Sequence, residues 1–318
     1  MARKGEFGLI DEIKRHFWVP EGAVGIGDDC AIIGGGGDDL LVSTDMLLEG
    51  VHFLRDKASP EDVGWKSAAV NLSDIAAMGG TPIATFLSIA LPKDAQEGWA
   101  ERFIEGYAEI SRRFGVPLLG GDTTSSLRDI AINVGVMGRC PKGRALQRSG
   151  ARVGDTLFVT GTLGDSGAGL RALLADLPKG EDVSFLIGRH LHPEPRIAEG
   201  ERLLATGLVG AMMDISDGIA SDLGHILRAS GVGASVELDK LPLSPELRTV
   251  CDRQGWSSYE LATSAGEDYE LLLTAPSTIA SQVDFPLYPI GEIVAGEGIE
   301  WRIGGEPIEF NSKGYTHF

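Results

Sequence analysis

Lys66-Ser-Ala-Ala-Val-Asn-Leu-Ser-Asp74-Ile-Ala-Ala-Met-Gly-Gly80 is the stretch from which the rest of the chain can be read. Asp74 is the only formally charged side chain between Lys66 and Lys93. A carboxylate in so apolar a neighbourhood is costly unless a cation meets it; otherwise burial drives it towards its neutral form. The stretch reads as helix, because Ser59-Pro60-Glu61-Asp62 supplies an N-cap, a first-turn proline and early acids. Gly79-Gly80, followed by Thr81-Pro82, ends it. At helical spacing Ser67, Asn71, Asp74 and Met78 share one stripe, so one carboxylate stands among small neutral side chains. Taken alone, Asp74 fits two readings: a core residue capping a turn, or a ligand for something cationic.

Before this helix, Leu9, Ile10, Ile13 and Phe17 predict a short leading helix over residues 6–18. Gly27-Asp28-Asp29-Cys-Ala-Ile-Ile33 then places an acid pair between a glycine turn and an apolar run. Leu40-Leu-Val-Ser43-Thr44-Asp45 predicts a strand with its polar residues at the carboxyl end, leading to Glu49-Gly-Val-His52-Phe. After it come a strand over 83–91 and a helix over 94–114 with Trp99, Phe103, Tyr107, Ile110 and Phe114 on its core side. Val116-Pro-Leu-Leu-Gly120-Gly121-Asp122 repeats the order strand, glycine turn, acid, and Ile130, Ile132, Val134 and Val136 alternate as a half-buried strand should. A basic loop with Arg144 and Arg148 closes this half; it reads either as a phosphate contact or as a solvated charged loop.

Val153-Gly-Asp155-Thr-Leu-Phe-Val opens a new pattern, so two domains are expected, residues 1–150 and 151–318. Helices are expected near 168–176, 183–191 and 196–206. Met212-Met-Asp214-Ile-Ser216-Asp217-Gly echoes the opening stretch, again with acids emerging from an apolar run. Alternating strands interleaved with helices predict an α+β sandwich rather than a doubly wound parallel sheet.

Composition narrows the partners. A formal net charge of -18 argues against a nucleic-acid backbone. No apolar run is long enough to cross a bilayer, and three scattered cysteines form neither a disulfide framework nor a zinc spacing. The expected setting is the reducing cytoplasm.

Asp28-Asp29, Asp45, Asp74, Asp122 and Asp214/Asp217 make five acidic stations, most with Ser or Thr beside them. Gly-Asp pairs are also ordinary turn chemistry, but turns do not account for Asp74. Hard divalent ions take such carboxylates, hydroxyls and water, and Mg²⁺ commonly enters with a substrate phosphate. No P-loop, EF-hand spacing or Gly-x-Ser-x-Gly elbow is present. From the residues alone the reading reaches a Mg²⁺-dependent enzyme acting on a phosphorylated substrate, in which cations reconcile the acidic chain with an anionic substrate.

Read in order, these motifs resemble the thiamine-phosphate kinase family, of the superfamily that includes aminoimidazole ribonucleotide synthetase. The resemblance rests on Gly27-Asp28-Asp29-Cys-Ala, Ser43-Thr-Asp45, Glu49-Gly-Val-His52-Phe, Val70-Asn-Leu-Ser-Asp74-Ile-Ala-Ala-Met-Gly and Gly120-Gly-Asp122-Thr-Thr. It continues through Gly143-Arg-Ala-Leu-Gln-Arg148-Ser-Gly, Gly161-Thr-Leu-Gly-Asp165-Ser, Asp214-Ile-Ser-Asp217-Gly, Gly266-Glu-Asp-Tyr-Glu and Gly314-Tyr-Thr-His-Phe. Met46 and Cys30 depart from the family's commoner Thr and Ala.

The resemblance implies two-domain aminoimidazole ribonucleotide synthetase-like architecture, with the N-terminal sheet joining its partner's in a homodimer. It implies transfer of the ATP γ-phosphate to thiamine monophosphate. Several Mg²⁺ ions would be held by Asp29, Ser43, Thr44, Asp45, Asp74, Asp122, Asp214 and Asp217, with Asp74, Asp122 and Asp217 central to catalysis. Tyr107, Gly121, Asp122, Arg148 and Ser216 would meet the nucleotide; His52, Glu267 and Tyr315 would meet the acceptor. The alternatives are an ATP-dependent synthetase of the same superfamily and a non-catalytic Mg²⁺ or nucleotide-binding protein.

Overall fold

The hydroxyl of Ser59 accepts the Asp62 N–H and the Asp62 carboxylate accepts the Ser59 N–H at 2.8 Å, a reciprocal cap that starts helix α1, Pro60–Ala77. Gly79, at φ 68°, follows its last turn. The computed structural model describes Gly8, Ile10, Lys14, residues 19–310, Ser312, Gly314 and Tyr315, so most of the leading helix expected at 6–18 lies outside the described residues.

Helix α1 is buried on nearly every side. One flank lies against helix α2, Trp99–Phe114, whose Trp99, Phe103, Tyr107 and Ile110 are buried. The two helices meet through glycines: a Cβ on Gly106 would lie 2.0 Å from the Glu61 carbonyl oxygen, and one on Gly64 2.1 Å from that of Phe103. Helix α2 starts at Trp99 rather than near residue 94, because Gly98 at φ 79° breaks the chain direction there.

Strands β1 (Ala23–Val24), β2 (Ala31–Gly34), β3 (Asp38–Leu48), β4 (Thr81–Pro92), β5 (Leu118–Ser126) and β6 (Ala131–Pro141) form one sheet in the order β1-β2-β3-β6-β4-β5. Only β4 and β5 run parallel. Leu41, Leu47, Leu87, Ile132, Val134 and Val136 bury one face, while Met46 and Phe86 on the other stay 53% and 40% exposed. Two expectations are corrected here. Asp45 does not end its strand, which runs on to Leu48 opposite β6. Gly120-Gly121-Asp122 is not a turn; it is part of β5, and Gly121 is needed because a Cβ would sit 1.7 Å from the Leu87 carbonyl oxygen on β4.

The second sheet holds β7 (Thr156–Val159), β8 (Ala211–Asp214), β9 (Gly233–Glu237), β10 (Leu271–Ala275), β11 (Tyr288–Val294), β12 (Gly298–Ile303) and β13 (Glu306–Pro307), in the order β13-β12-β9-β11-β7-β10-β8. It is antiparallel except where β12 meets β9. Helices α3 (Asp165–Leu174), α4 (Glu181–Leu191), α5 (Ile197–Thr206), α6 (Ile219–Ser230), α7 (Pro245–Gln254) and α8 (Ser258–Ser264) accompany it. The fold is α+β, as the alternation of strands and helices predicts. Ile75 and Ala76 of α1 share a core with Leu203, Met212, Leu271 and Leu273, so α1 is a wall common to both halves. Among the described residues no helix is long and apolar enough to cross a membrane.

Gly106→Val should destabilise the fold by about 1–3 kcal/mol or more, because the α1–α2 contact cannot admit a side chain. Urea unfolding checks this; an unchanged midpoint would remove the close-packing explanation.

Candidate active site

Asp29 stands just ahead of β2, Asp74 lies in the last turn of α1, and Asp214 ends β8. Three separate elements thus bring one carboxylate oxygen each to within 4.8 Å of one another. Each acid is oriented by its own partner. The Ser43 hydroxyl donates to Asp74 Oδ2 at 2.5 Å, and the Ser73 hydroxyl donates to Asp214 Oδ2 at 2.5 Å. The Arg148 guanidinium donates to Asp29 Oδ1 at 2.5 Å, and its backbone N–H donates to Asp28 at 2.6 Å. Asp45 adjoins the cluster, its N–H donating to Asn71 Oδ1 at 3.1 Å.

These carboxylates lack enough positive charge. Burial, then the charges of Asp45, Asp214 and Asp29, holds Asp74 well above the usual carboxylate range. Burial and the neighbouring Asp29 push Asp214 up to about 7 and Asp45 up to about 6. Burial also raises Asp29 in spite of Arg148. Asp29 Oδ2 is buried with no hydrogen-bond partner. An all-oxygen donor set with an orphaned carboxylate oxygen and unrelieved like-charge repulsion fits a hard divalent cation.

The other residues singled out from the sequence are placed more variously. Ser43 and Asp45 share the face of β3 turned to α1, whereas Thr44 lies on the opposite face, donating to the Val134 carbonyl and accepting from the Asn133 amide. Asp122 and Gly121 lie exposed on the edge strand β5, away from the cluster. Tyr107 is buried in the core with its hydroxyl facing Thr85. Arg148 belongs to the cluster, while Arg144 turns away to the Leu204 carbonyl. The Asp217 N–H donates to Asp222, a buried acid that the sequence does not distinguish from a surface helix residue. The Ser216 carbonyl accepts the Glu267 N–H at 2.8 Å, and the Asp217 carbonyl accepts that of Tyr315 at 3.0 Å.

His52 and Glu267 line a cavity of about 230 Å³ with Leu47, Phe53, Leu170 and Leu173. His52 Nδ1 accepts the Leu48 N–H at 3.0 Å, which fixes its ring at the end of β3. Glu267 is carried by a left-handed backbone, φ 57°, after Gly266, where a Cβ would lie 2.3 Å from the Ser216 carbonyl oxygen. Sequence reasoning missed Lys66 as a site residue. It is 3% exposed and pairs with Glu267 Oε1 at 2.8 Å, with His190 Nδ1 3.3 Å from Oε2. Burial opposes the Glu267 charge, but Lys66, foremost among its cationic and hydrogen-bonding neighbours, helps to hold the carboxyl below its ordinary range. Burial, then Lys66, pushes His190 down to about 3, so its ring is neutral near pH 7. The Tyr269 N–H donates to the Ile215 carbonyl at 2.9 Å, so the loop that carries Glu267 runs alongside the segment following Asp214, and cavity and cluster lie side by side.

Comparison with known proteins gives a consistent result. The family model for AIR synthase related protein, N-terminal domain, matches residues 27–140, and that for the C-terminal domain matches residues 152–303. Thiamine-monophosphate kinase of Salmonella typhimurium is 42% identical over an alignment of 330 positions that covers 99% of this chain and 98% of that protein. The Aquifex aeolicus thiamine-monophosphate kinase is 41% identical over 99% of this chain and 98% of its own length. The solved structure of AaThiL complexed with AMPPCP and TMP superposes with a TM-score of 0.90 at 39% identity, covering 100% of this chain and 99% of that one.

The raised carboxylates bind protons in the folded state that the unfolded chain, with an ordinary value of 3.8, has released. Their favourable contribution is therefore complete below the unfolded value and lost as pH rises through about 6 for Asp45 and about 7 for Asp214. In chelator-treated protein, Asp214→Asn should raise Tm relative to the parent at pH 8 and leave it unchanged at pH 4. Scanning calorimetry decides it; equal shifts at both pH values would refute the repulsion.

Proposed function

Because the chain belongs to the thiamine-monophosphate kinase family of AIR synthase related proteins, we infer that it transfers the γ-phosphate of ATP to thiamine monophosphate, giving ADP and thiamine diphosphate. The observation that carries this reading is the oxygen-donor cluster Asp29, Asp74 and Asp214 beside an apolar cavity with His52 and Glu267 at its polar end. A phosphate-handling site and a slot for an organic group are thus adjacent. An ATP-dependent synthetase of the same superfamily is not favoured, since the full-length relatives are kinases.

Mg²⁺ fits the donor set, and Asp29, Ser43, Thr44, Asp45, Asp74, Asp122, Asp214 and Asp217 are the residues proposed to hold several such ions. When bound, they would neutralise phosphoryl charge and align the two phosphates. Ser43 and Ser73 keep the Asp74 and Asp214 carboxylates in fixed orientations through their hydroxyls. Gly121, Tyr107, Arg148 and Ser216 are assigned to the nucleotide, and His52, Glu267 and Tyr315 to the acceptor. No side chain need remove a proton from the acceptor, whose phosphate is already anionic near neutral pH. Positioning carries the rate. The domains are taken as 1–150 and 151–318, and the setting as the cytoplasm, in keeping with three free cysteines.

A homodimer through the N-terminal domain accounts for the isolation of Asp122. Among the described residues the β2–β3 ladder ends at Val42, which leaves Ser43–Leu48 with an open edge, and β5 has an open edge at the far side of the same sheet. Among the described residues the face between them is uncovered, with Met46 53% and Phe86 40% exposed. Joining β5 of one copy to the open part of β3 in another would enclose that face and bring Asp122 towards the partner copy's Thr44 and Asp45. Such a contact is isologous and satisfies both edges.

Asp74→Asn should leave the fold intact and abolish turnover, read as thiamine diphosphate formed from MgATP and thiamine monophosphate. Product from free thiamine instead, or no phosphoryl transfer by the parent enzyme, would refute the substrate assignment; a fully active mutant would refute the metal role.

The dimer has its own test. Asp74→Asn and Asp122→Asn subunits are each expected to be inactive, yet an exchanged mixture should regain about one quarter of the parent activity, since half the dimers then carry one intact site. A mixture that stays inactive despite subunit exchange would place Asp122 in its own subunit's site.

A further inference from the structure

Lys66 is absent from the residues that the motifs assign, yet it is a nearly fully buried ammonium, 3% exposed. Lysine is rarely buried so completely, and a buried ion pair contributes little net stability relative to apolar packing. Packing of α1 alone therefore gives no reason for a cation here. Its Nζ meets Glu267 Oε1 at 2.8 Å, while the Glu267 side chain remains 26% exposed at the cavity. Both residues line the cavity, and the pair presents its carboxylate far more openly than its ammonium.

The loop behind Glu267 is built to hold that presentation. Glu267 and Tyr269 both have left-handed backbones, φ 57° and 51°, a conformation that costs free energy in non-glycine residues. The intervening and following acids act as anchors. Asp268 accepts the N–H groups of Gly164 at 2.7 Å and Ser166 at 3.2 Å. Glu270 is held by Arg189, Arg196 and the Thr160 hydroxyl. Asp268 and Glu270 point into protein, which leaves Glu267 as the acid of the loop turned to the cavity. His190, neutral, stands 3.3 Å from its second oxygen.

Resting on the thiamine monophosphate reading above, we propose that Lys66 is a positioning residue for the acceptor: its ion pair fixes the Glu267 carboxylate so that it receives the donor groups of a heteroaromatic ring. Leu47, Phe53, Leu170 and Leu173 give the cavity apolar walls that suit a flat ring, while Lys57 and Asp62 also contribute to its lining. Lys66 and Asp74 lie on one helix, and eight residues of helix rise about 12 Å. Helix α1 therefore sets the separation between the ring's anchor and the phosphate cluster.

The test compares the parent enzyme with Lys66→Met, Lys66→Arg and the double variant Lys66→Met/Glu267→Gln, using steady-state kinetics and thermal melting. Lys66→Met should raise KM for thiamine monophosphate about tenfold or more while KM for ATP changes less than about twofold, with Lys66→Arg intermediate. The double variant removes the buried charge imbalance and should melt near the parent, but keep the raised acceptor KM. A thiazole phosphate lacking the pyrimidine ring should be discriminated against by the parent and much less by the double variant. A parent-like acceptor KM in the double variant overturns the positioning role and leaves the function standing. A parent enzyme that does not phosphorylate thiamine monophosphate overturns both.

Discussion

Crowding of carboxylates in a place that water barely reaches is the constraint on which the rest of this structure depends. Asp29, Asp74 and Asp214 place oxygens within 4.8 Å of one another, with Asp45 adding a fourth charge and Arg148, among the described residues, the one cation that pairs directly with them. Like charges so close and so desolvated repel strongly, and the protein alone relieves this only by holding protons. The arrangement is tolerable because three elements of different origin are each clamped by local hydrogen bonds. A site of this kind is stable with cations in place and strained without them. Its acidic character is thus compatible with phosphorylated substrates, which share the same need for positive charge.

Clamping depends on α1. A helix that carries Lys66, Ser67, Asn71 and Ser73 into the interior would be a poor choice for stability alone. Each of these polar groups is nevertheless engaged. Ser67 and Asn71 bond back to the helix, Asn71 also accepts from Asp45, Ser73 orients Asp214, and Lys66 meets Glu267. The glycine contact with α2 and the shared core with the second half remove the helix's freedom to shift. Rigidity is what converts a set of short polar side chains into fixed coordinates.

This division explains what could and could not be read from the chain. Asp74 was legible because a lone charge in a long apolar stretch is a one-dimensional signal, and the cap at Ser59 and the stop at Gly79 are local chemistry. The α+β alternation was legible for the same reason. Thr44 and Asp122 were not, because their placement depends on which face of a strand is covered and which edge is paired, and both are set by residues far away in sequence. The glycines before Asp122 resemble a turn until the neighbouring strand β4 is seen to need the space of a missing Cβ. Lys66 was hidden most completely: a lysine in a helix reads as a solvated residue, and only a partner far along the chain, Glu267, makes it a buried one.

Along α1 the structure also sets two carboxylate environments against each other. Asp74 is kept from easy ionisation by burial and by other acids, so its charge depends on cations that arrive from solution. Glu267 opens onto the cavity but is kept ionised chiefly by a cation that never leaves, Lys66. A recruited cation lets the cluster respond to whatever phosphates accompany it. A permanent one makes the cavity's polarity independent of metal. Because Asp74 and Lys66 lie on one helix, the distance between the responsive site and the cation that holds Glu267 cannot drift, and that fixed distance is what phosphoryl transfer between two bound molecules requires.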